Sequence, residues 1–416
     1  MTLTAMPKYD AYKDSGVEWL RAIPAHWQVM RFKFLSSITT GSKNTEDKID
    51  NGEYPFFVRS QIPERINTYS YDGEAILTAG DGAGVGRVYH YVNGKFDFHQ
   101  RVYKFSDFKI VTGKFLYHYL YINFANVAML GTAKSTVDSL RLPLIQDFQI
   151  CFPPCHDEQK NIVSFIDKIT FQIDAAISIK EQQIALLNER KQILIQQAVT
   201  QGLDPTVPMK DSGIEWIGEI PEHWIVKRAK YLFNEIDERS VNGDEELLSV
   251  SHITGVTPRS EKNVNMFMAE DYSGSKTCEK NDLVFNIMWA WMGALGVSDR
   301  RGIVSPSYGV FRAKAENTFN PIFLEYLLKS ISYVEHYNKV STGLHSSRLR
   351  FYAHMFFDME LGYPSFDEQN SIVKYVQKES DAIDKALSLQ QQQIEVLKEY
   401  KTTLINSAVT GKIKVV

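Results

Sequence analysis

One arrangement occurs twice in the chain and limits its fold more than anything else. Two segments, beginning near Asp157 and Asp367, place apolar residues at alternating steps of three and four. The first carries Ile162, Ile166, Ile169, Ile173, Ile177, Ile184, Leu187, Leu194 and Ala198; the second carries Ile372, Val376, Ile383, Leu387, Ile394, Leu397, Leu404 and Ala408. No proline breaks either run, and the flanking positions are polar, as in Glu181-Gln182-Gln183 and Gln390 to Gln393. Such spacing predicts long helices with a narrow apolar seam, the coiled-coil pattern, interrupted by polar residues at Lys180/Gln390 and Lys191/Lys401. Asp157 and Asp367 are the expected N-caps, with Glu158 and Glu368 favourably acidic in the first turn. At ~1.5 Å per residue, the stretch from Asp157 to Thr200 reaches roughly 65 Å, the length of a spacer.

The two segments are copies. "PPCHDEQKNIVSFIDK" (Pro153 to Lys168) answers "YPSFDEQNSIVKYVQK" (Tyr363 to Lys378) at an offset of 210, and the register holds through Asp174/Asp384, Ile184/Ile394, Leu187/Leu397 and Lys191/Lys401. A shorter box is also doubled: "KDSGVEWLRAIPAHW" (Lys13 to Trp27) and "KDSGIEWIGEIPEHW" (Lys210 to Trp224) agree at ten of fifteen positions. Each half therefore consists of a short box, a long variable stretch and a long helical box. Two equivalent helices, each following its own half, pair in antiparallel fashion only if the halves stand at opposite ends.

Between the boxes the texture changes. "YPFFV", "AILTA", "GRVYHYV" and "QRVYKF" in the first half, and "ELLSV", "DLVFNIM" and "GVFRA" in the second, are short β-branched and aromatic runs separated by turn residues. Helical patterns follow, "GKFLYHYLYINF" and "NPIFLEYLLKSI". The predicted fold class is α+β: two similar α+β domains separated by two long helices forming an antiparallel coiled coil, with pseudo-twofold symmetry from internal duplication. The expected divisions are 1–155, first domain; 156–208, central long helix; 209–365, second domain; and 366–416, C-terminal long helix. A chain of 416 residues with 44% hydrophobic and 12% aromatic content supports two folded cores.

The formal charge of −4 speaks against a nucleic-acid partner until its distribution is considered. Residues 28–153 hold 14 Lys+Arg against 12 Asp+Glu and residues 225–363 hold 16 against 17, so the acid excess lies in the repeated boxes. The clearest basic stretch, His336 to His354, contains Lys339, Arg348 and Arg350 with His345 and Ser346 and no acid; its counterpart contains Lys134, Ser135 and Arg141. Clustered cations beside hydroxyls suit phosphate contact, with a solvated face as the alternative. The chain is expected to be cytoplasmic, with no secretory signal, no membrane span and three ordinary thiols at Cys151, Cys155 and Cys278.

Catalytic motifs are weak. "TAGDGAGVGRV" (Thr78 to Val88) is rich in glycine, but strand-like residues follow it where a phosphate-binding loop needs a helix, so a strand connection is expected. The recurring His26-Trp27 and His223-Trp224 have no recurring nucleophile or carboxylate at suggestive spacing and are read as a packed corner or docking surface. "CFPPC" lacks the Asn and the aromatic of an adenine-methyltransferase motif, and no nuclease cluster, HExxH or P-loop is present.

In this order, "EWLRAIPAHWQVMRFKFL" and "EWIGEIPEHWIVKRAKYL" opening the halves, and "PPCHDEQKNIV" and "YPSFDEQNSIV" opening the helices, the chain resembles the specificity subunit of Type I restriction-modification enzymes over essentially its whole length. The resemblance implies a non-catalytic protein whose two target-recognition domains each read one part of an asymmetric, bipartite sequence in double-stranded DNA. It also implies helices that act as a ruler and a frame that docks two modification (methyltransferase) subunits and, through the complex, restriction/translocase subunits. S-adenosylmethionine, ATP and Mg would be bound by those partners and no cofactor by this chain. The recognition surface is then expected at Arg59, Ser60, Gln61, Thr78, Asp81, His99, Gln100 and Arg101 in the first half, and at Ser251, His252, Ser307 and Tyr308 in the second. Gln and Arg suit bidentate bonding to adenine and guanine edges, although ordinary surface hydrogen bonding explains any single one equally well. The alternatives are the recognition subunit of a fused cleavage-methylation enzyme and a coiled-coil protein-binding scaffold.

Overall fold

The computed structural model describes residues 6–130, 139–262, 271–343 and 348–415. They form two compact units, residues 1–181 with 390–416, and residues 182–389. The two long helices, His156–Gln201 and Phe366–Val409, each contribute to both.

In the first unit, a six-stranded sheet runs in the order Ser37–Thr40, Val102–Ser106, Tyr71–Ala79, Tyr89–Phe98, Tyr54–Phe57, Glu64–Ile66. Neighbours are antiparallel except Tyr54–Phe57, which runs parallel to Tyr89–Phe98. The helix Gly113–Leu130 follows as its pattern predicts. Its Phe115, Leu116 and Tyr119 meet Ile76 and Phe105 of the sheet, Ile162 and Ile166 of the first long helix, and Ile405, Ala408 and Val409 of the second in one core. The second unit repeats the design with shorter strands: a sheet in the order Phe233–Glu235, Gly309–Ala313, Leu283–Phe285, Leu295–Val297, and two strand pairs, Leu248–Ser251 with Gly255–Pro258 and Lys276–Cys278 with Gly302–Val304. Its core takes Leu283, Phe285 and Phe311 from the sheet, Ala198 and Val199 from the first long helix, and Ile372 and Val376 from the second.

The long helices pair antiparallel within each unit. In the first, Lys401 donates to Asp174 at 2.7 Å and Lys180 to Gln390 at 3.1 Å; in the second, Lys191 donates to Asp384 at 2.7 Å. The two Lys–Asp pairs are the same pair by the 210-residue offset, and Lys180 and Gln390 are equivalent positions bonded to each other. The seam falls where the spacing predicts: Ile173, Ile383, Ile394 and Leu404 are buried, and Ile177, Ile184, Leu187, Leu194, Leu387 and Leu397 are partly shielded.

The short box explains its own repetition. Buried Trp27 donates its indole N–H to Glu158 at 3.0 Å, with His26 Nε2 at 2.9 Å and the Tyr9 hydroxyl at 2.9 Å from the same carboxylate. Trp224 and His223 hold Glu368 in the same way, at 3.1 and 2.7 Å. Burial, and then the Glu158 carboxylate, push the Tyr9 phenol well above its ordinary pKa. The box is thus a clasp on the N-terminal turn of a long helix, the packed corner expected of His26-Trp27.

The N-caps need correction. The helices begin at His156 and Phe366, so Asp157 and Asp367 lie inside the first turn. The first turn is anchored instead by Gln159 and Gln369, both fully buried. Gln159 accepts from the Thr112 N–H and donates to the carbonyls of Ile110 and Pro153; Gln369 accepts from Asn320 and donates to Thr318 and Pro364. The repeated Asp-Glu-Gln therefore divides its work between a dipole-favoured acid, a clasp carboxylate and a buried amide staple.

Candidate nucleic-acid interface

In the first unit four loop segments meet at one end. Asp81, just beyond the strand Tyr71–Ala79, is largely buried, and its two oxygens accept from Arg59 at 2.8 Å and from Arg101. Burial by itself would raise the Asp81 carboxyl; the two guanidinium bonds prevail and hold it below the usual carboxylate range. His99 accepts on Nδ1 from the Arg101 backbone N–H at 2.9 Å, and burial, then the Arg59 charge, lower its pKa, so the ring is neutral at pH 7. The fourth segment joins through the Leu140 N–H, which donates to the Gly80 carbonyl at 2.8 Å and brings exposed Arg141 beside the cluster.

The remaining side chains of this end are partly committed. Ser60 and Gln61 bond the backbone carbonyls of Ile62 and Arg87, and Gln100 donates to Asn44. Thr78 is corrected: it is buried and its hydroxyl donates to the Val88 carbonyl, so it presents nothing to a ligand. Lys134 and Ser135 lie outside the described residues. The glycine-rich loop is a short turn, Gly82–Gly84, leading into a strand; a Cβ on Gly84 would stand 2.7 Å from the Arg59 carbonyl oxygen, so the glycine serves close packing.

The second unit builds the same end from different chemistry. The hub here is buried Asn286, just beyond the strand Leu283–Phe285, which donates to the Tyr308 hydroxyl at 2.9 Å and to the Val250 carbonyl at 3.4 Å. Ser251 shares a hydrogen bond with Thr254 at 2.8 Å and receives one from Lys262; His252 and Ser307 are exposed. The Phe351 N–H donates to the Ile287 carbonyl at 3.0 Å and joins the basic stretch to this end. Within that stretch Lys339 and Arg348 are exposed, Arg350 is partly shielded by its bond to the Leu349 carbonyl, and His345 and Ser346 lie outside the described residues. His336 departs from the expected basic character: it stacks on Trp216 at 4.2 Å, and burial lowers its pKa.

Sequence reasoning overlooked Asn286, Lys262 and the exposed Trp289. The available signal for Trp289 was the run of Met288, Trp289, Trp291 and Met292, large apolar side chains crowded ahead of Gly293. A second surface was also overlooked. Ile179, Leu186 and Ile193 on one long helix, and Leu389 and Val396 on the other, are exposed at seven-residue spacing on the side away from the seam. Among the described residues no cluster of His, Cys, Asp and Glu is arranged to hold a metal ion, and no helix is long and apolar enough to cross a membrane.

Residues 24–189 match the Type I restriction modification DNA specificity domain. The chain is 23% identical over 439 aligned positions to the Type I restriction enzyme MjaVIII specificity subunit of Methanocaldococcus jannaschii, covering 97% of both chains. It is 28% identical over 173 residues to the EcoDI specificity subunit of Escherichia coli, spanning 42% of this chain but 38% of that one. Among solved structures, the fold is shared with a chain from a study of complex assembly and conformational transition of the type I R-M system, at TM-score 0.66 and 12% identity, covering 93% of this chain and 98% of that one. It is shared also with the HsdS subunit from Thermoanaerobacter tengcongensis, at TM-score 0.54 and 13% identity, covering 96% and 100%.

Proposed function

The chain belongs to the specificity-subunit family of Type I restriction-modification systems, a non-catalytic family, and on that premise we propose that its two units read the two parts of an asymmetric, bipartite DNA target. One observation carries the reading: a repeated frame, down to its clasp and amide staple, holds two loop ends of unlike chemistry. The first offers a carboxylate-fixed arginine pair, the second an amide, a phenol and an indole. Two different readers on equivalent mounts suit two different half-sites. Arg59, Arg101, Gln61 and His252 are the candidates for base edges; Arg141, Lys339, Arg348 and Arg350 are those for phosphates.

The long helices set the gap between half-sites. Their exposed seven-residue rows are the docking face for the modification subunits, which supply S-adenosylmethionine chemistry and recruit the ATP-driven restriction subunits. The same rows would serve a coiled-coil scaffold, but such a scaffold has no use for the two polar, basic loop ends. Methylated adenines should be mapped across the host genome with and without this gene. Loss of one split motif with unlike halves is the expected result; an unchanged methylation pattern in a strain expressing the whole operon would overturn the proposal.

A further inference from the structure

The second unit's loop end carries apolar surface that neither phosphate contact nor hydrogen-bonded base reading uses. Trp289 is 47% exposed, Met292 38% and Ile253 78%. They occupy loops that leave the same end, since Asn286 opens the Trp289 loop and bonds the carbonyl of Val250, three residues before Ile253. The first unit has a matching apolar tip in Ile62, 79% exposed, but its corresponding loop, Gly82–Gly84, has no aromatic residue.

The loop presents its indole in a fixed position. Trp291 lies against Trp289 with ring centroids 5.9 Å apart and 28° between planes, and donates its own N–H to the Met288 carbonyl at 3.0 Å. The turn ends at Gly293, whose φ of +80° suits glycine, with Val334 packed close behind it. That valine belongs to the helix Ile331–Val340, which also carries Lys339, and Phe351, next to Arg350, bonds the loop directly. A rigid, half-exposed indole on a surface with Lys262, Lys339, Arg348 and Arg350 is suited to a polyanion that also offers flat apolar faces, and a stacked DNA duplex is such a partner.

Resting on the DNA-reading proposal above, we infer that Trp289 is a wedge that enters the base stack of the half-site read by the second unit and bends the duplex there, with Ile253 and Met292 as apolar support. Wedges of this kind kink DNA by about 20–90° and favour steps that unstack easily, so Trp289 contributes to specificity through deformability rather than by hydrogen bonding. The first unit, with its arginine pair and glycine loop, reads without such a kink.

The test uses the full chain assembled with its modification subunits, on a duplex carrying the mapped split motif and fluorophores flanking the second half-site. The wild type should shorten the fluorophore distance on the target. Trp289→Ala should abolish that shortening and weaken target binding about tenfold, leaving affinity for a scrambled duplex unchanged. Trp289→Phe, which keeps a ring, should restore most of the bend, separating loss of the wedge from collapse of the loop. Target binding by the wild type without bending, or unchanged bending and affinity in Trp289→Ala, overturns the wedge and leaves the DNA-reading proposal standing. Failure of the wild type to prefer the target over the scrambled duplex overturns both.

Discussion

Replacing Glu158 by alanine should destabilise the first unit more than Glu368→Ala, the equivalent change, destabilises the second. The carboxylate is mostly shielded and accepts from the buried Trp27 indole, the half-buried Tyr9 hydroxyl and the exposed His26 ring. Hydrogen bonds to charged groups contribute about 1.5–3 kcal/mol where the donor cannot turn to water, which describes Trp27. The Tyr9 hydroxyl recovers part of its loss from solvent, about 1 kcal/mol remaining, and the His26 contact, at an exposed ring, adds about 0–1 kcal/mol. The loss is therefore about 3 kcal/mol. Glu368→Ala leaves only Trp224 and His223 without their acceptor and should cost about 2 kcal/mol in its own unit. A single unfolding midpoint would merge the two units, so urea titration should be combined with hydrogen-exchange mass spectrometry, which follows each separately. Glu158→Gln, which retains an acceptor oxygen, should cost about half as much as the alanine variant. A loss below about 1 kcal/mol in Glu158→Ala would refute the argument that the clasp carboxylate satisfies a shielded donor.

Three further outcomes follow from the geometry. The two Lys–Asp pairs across the helices each join residues whose numbers sum to 575, so one heptad inserted after Ala185 and another after Leu389 preserves both; the methylated motif should keep its halves and gain about three base pairs of gap, from ~1.5 Å rise per residue against ~3.4 Å per base pair. Arg348→Ala with Arg350→Ala should weaken binding to all duplexes and lower the magnitude of the salt slope by nearly 2, measured by titration at several salt concentrations, with Arg348 alone supplying about 1. Because the folded-state pKa of Asp81 is depressed, its arginine pairs stabilise the first unit above the ordinary carboxylate range and lose that effect as pH falls below it; Asp81→Asn should be less stable at neutral pH and show a flatter acid limb in pH-dependent urea melts.

The long helices were legible because their order is periodic and local: each seam residue announces itself by its distance to the next. The strands Tyr71–Ala79 and Tyr89–Phe98 were legible only in part: "AILTA" and "GRVYHYV" mark their apolar ends, while Asp72, Gly73, Asn93 and Gly94, turn residues by type, lie paired inside the ladder. A packed corner at the boxes was legible but what it grips was not, since the Trp27–Glu158 bond joins positions 131 residues apart and no local pattern reports it. Gln159 misleads in another way: glutamine is ordinarily a surface residue, and its full burial is understood only when its three backbone partners are seen. At the loop ends, residue type identified Arg59, Asp81 and Arg101 separately, but only the fold makes them one ion cluster and removes Thr78 from it.

The way the second long helix closes the first unit has a consequence for biosynthesis. Trp27, Phe115 and Ile162 share their core with Ile405, Val409 and Ile413, whereas the second unit is one uninterrupted stretch, 182–389. In chain order the second unit is complete at residue 389, whereas the first still needs the segment 390–416. The half synthesised first can therefore close its core only after the chain has been made through Ile413, and until then the apolar side chains that the second long helix covers stay exposed.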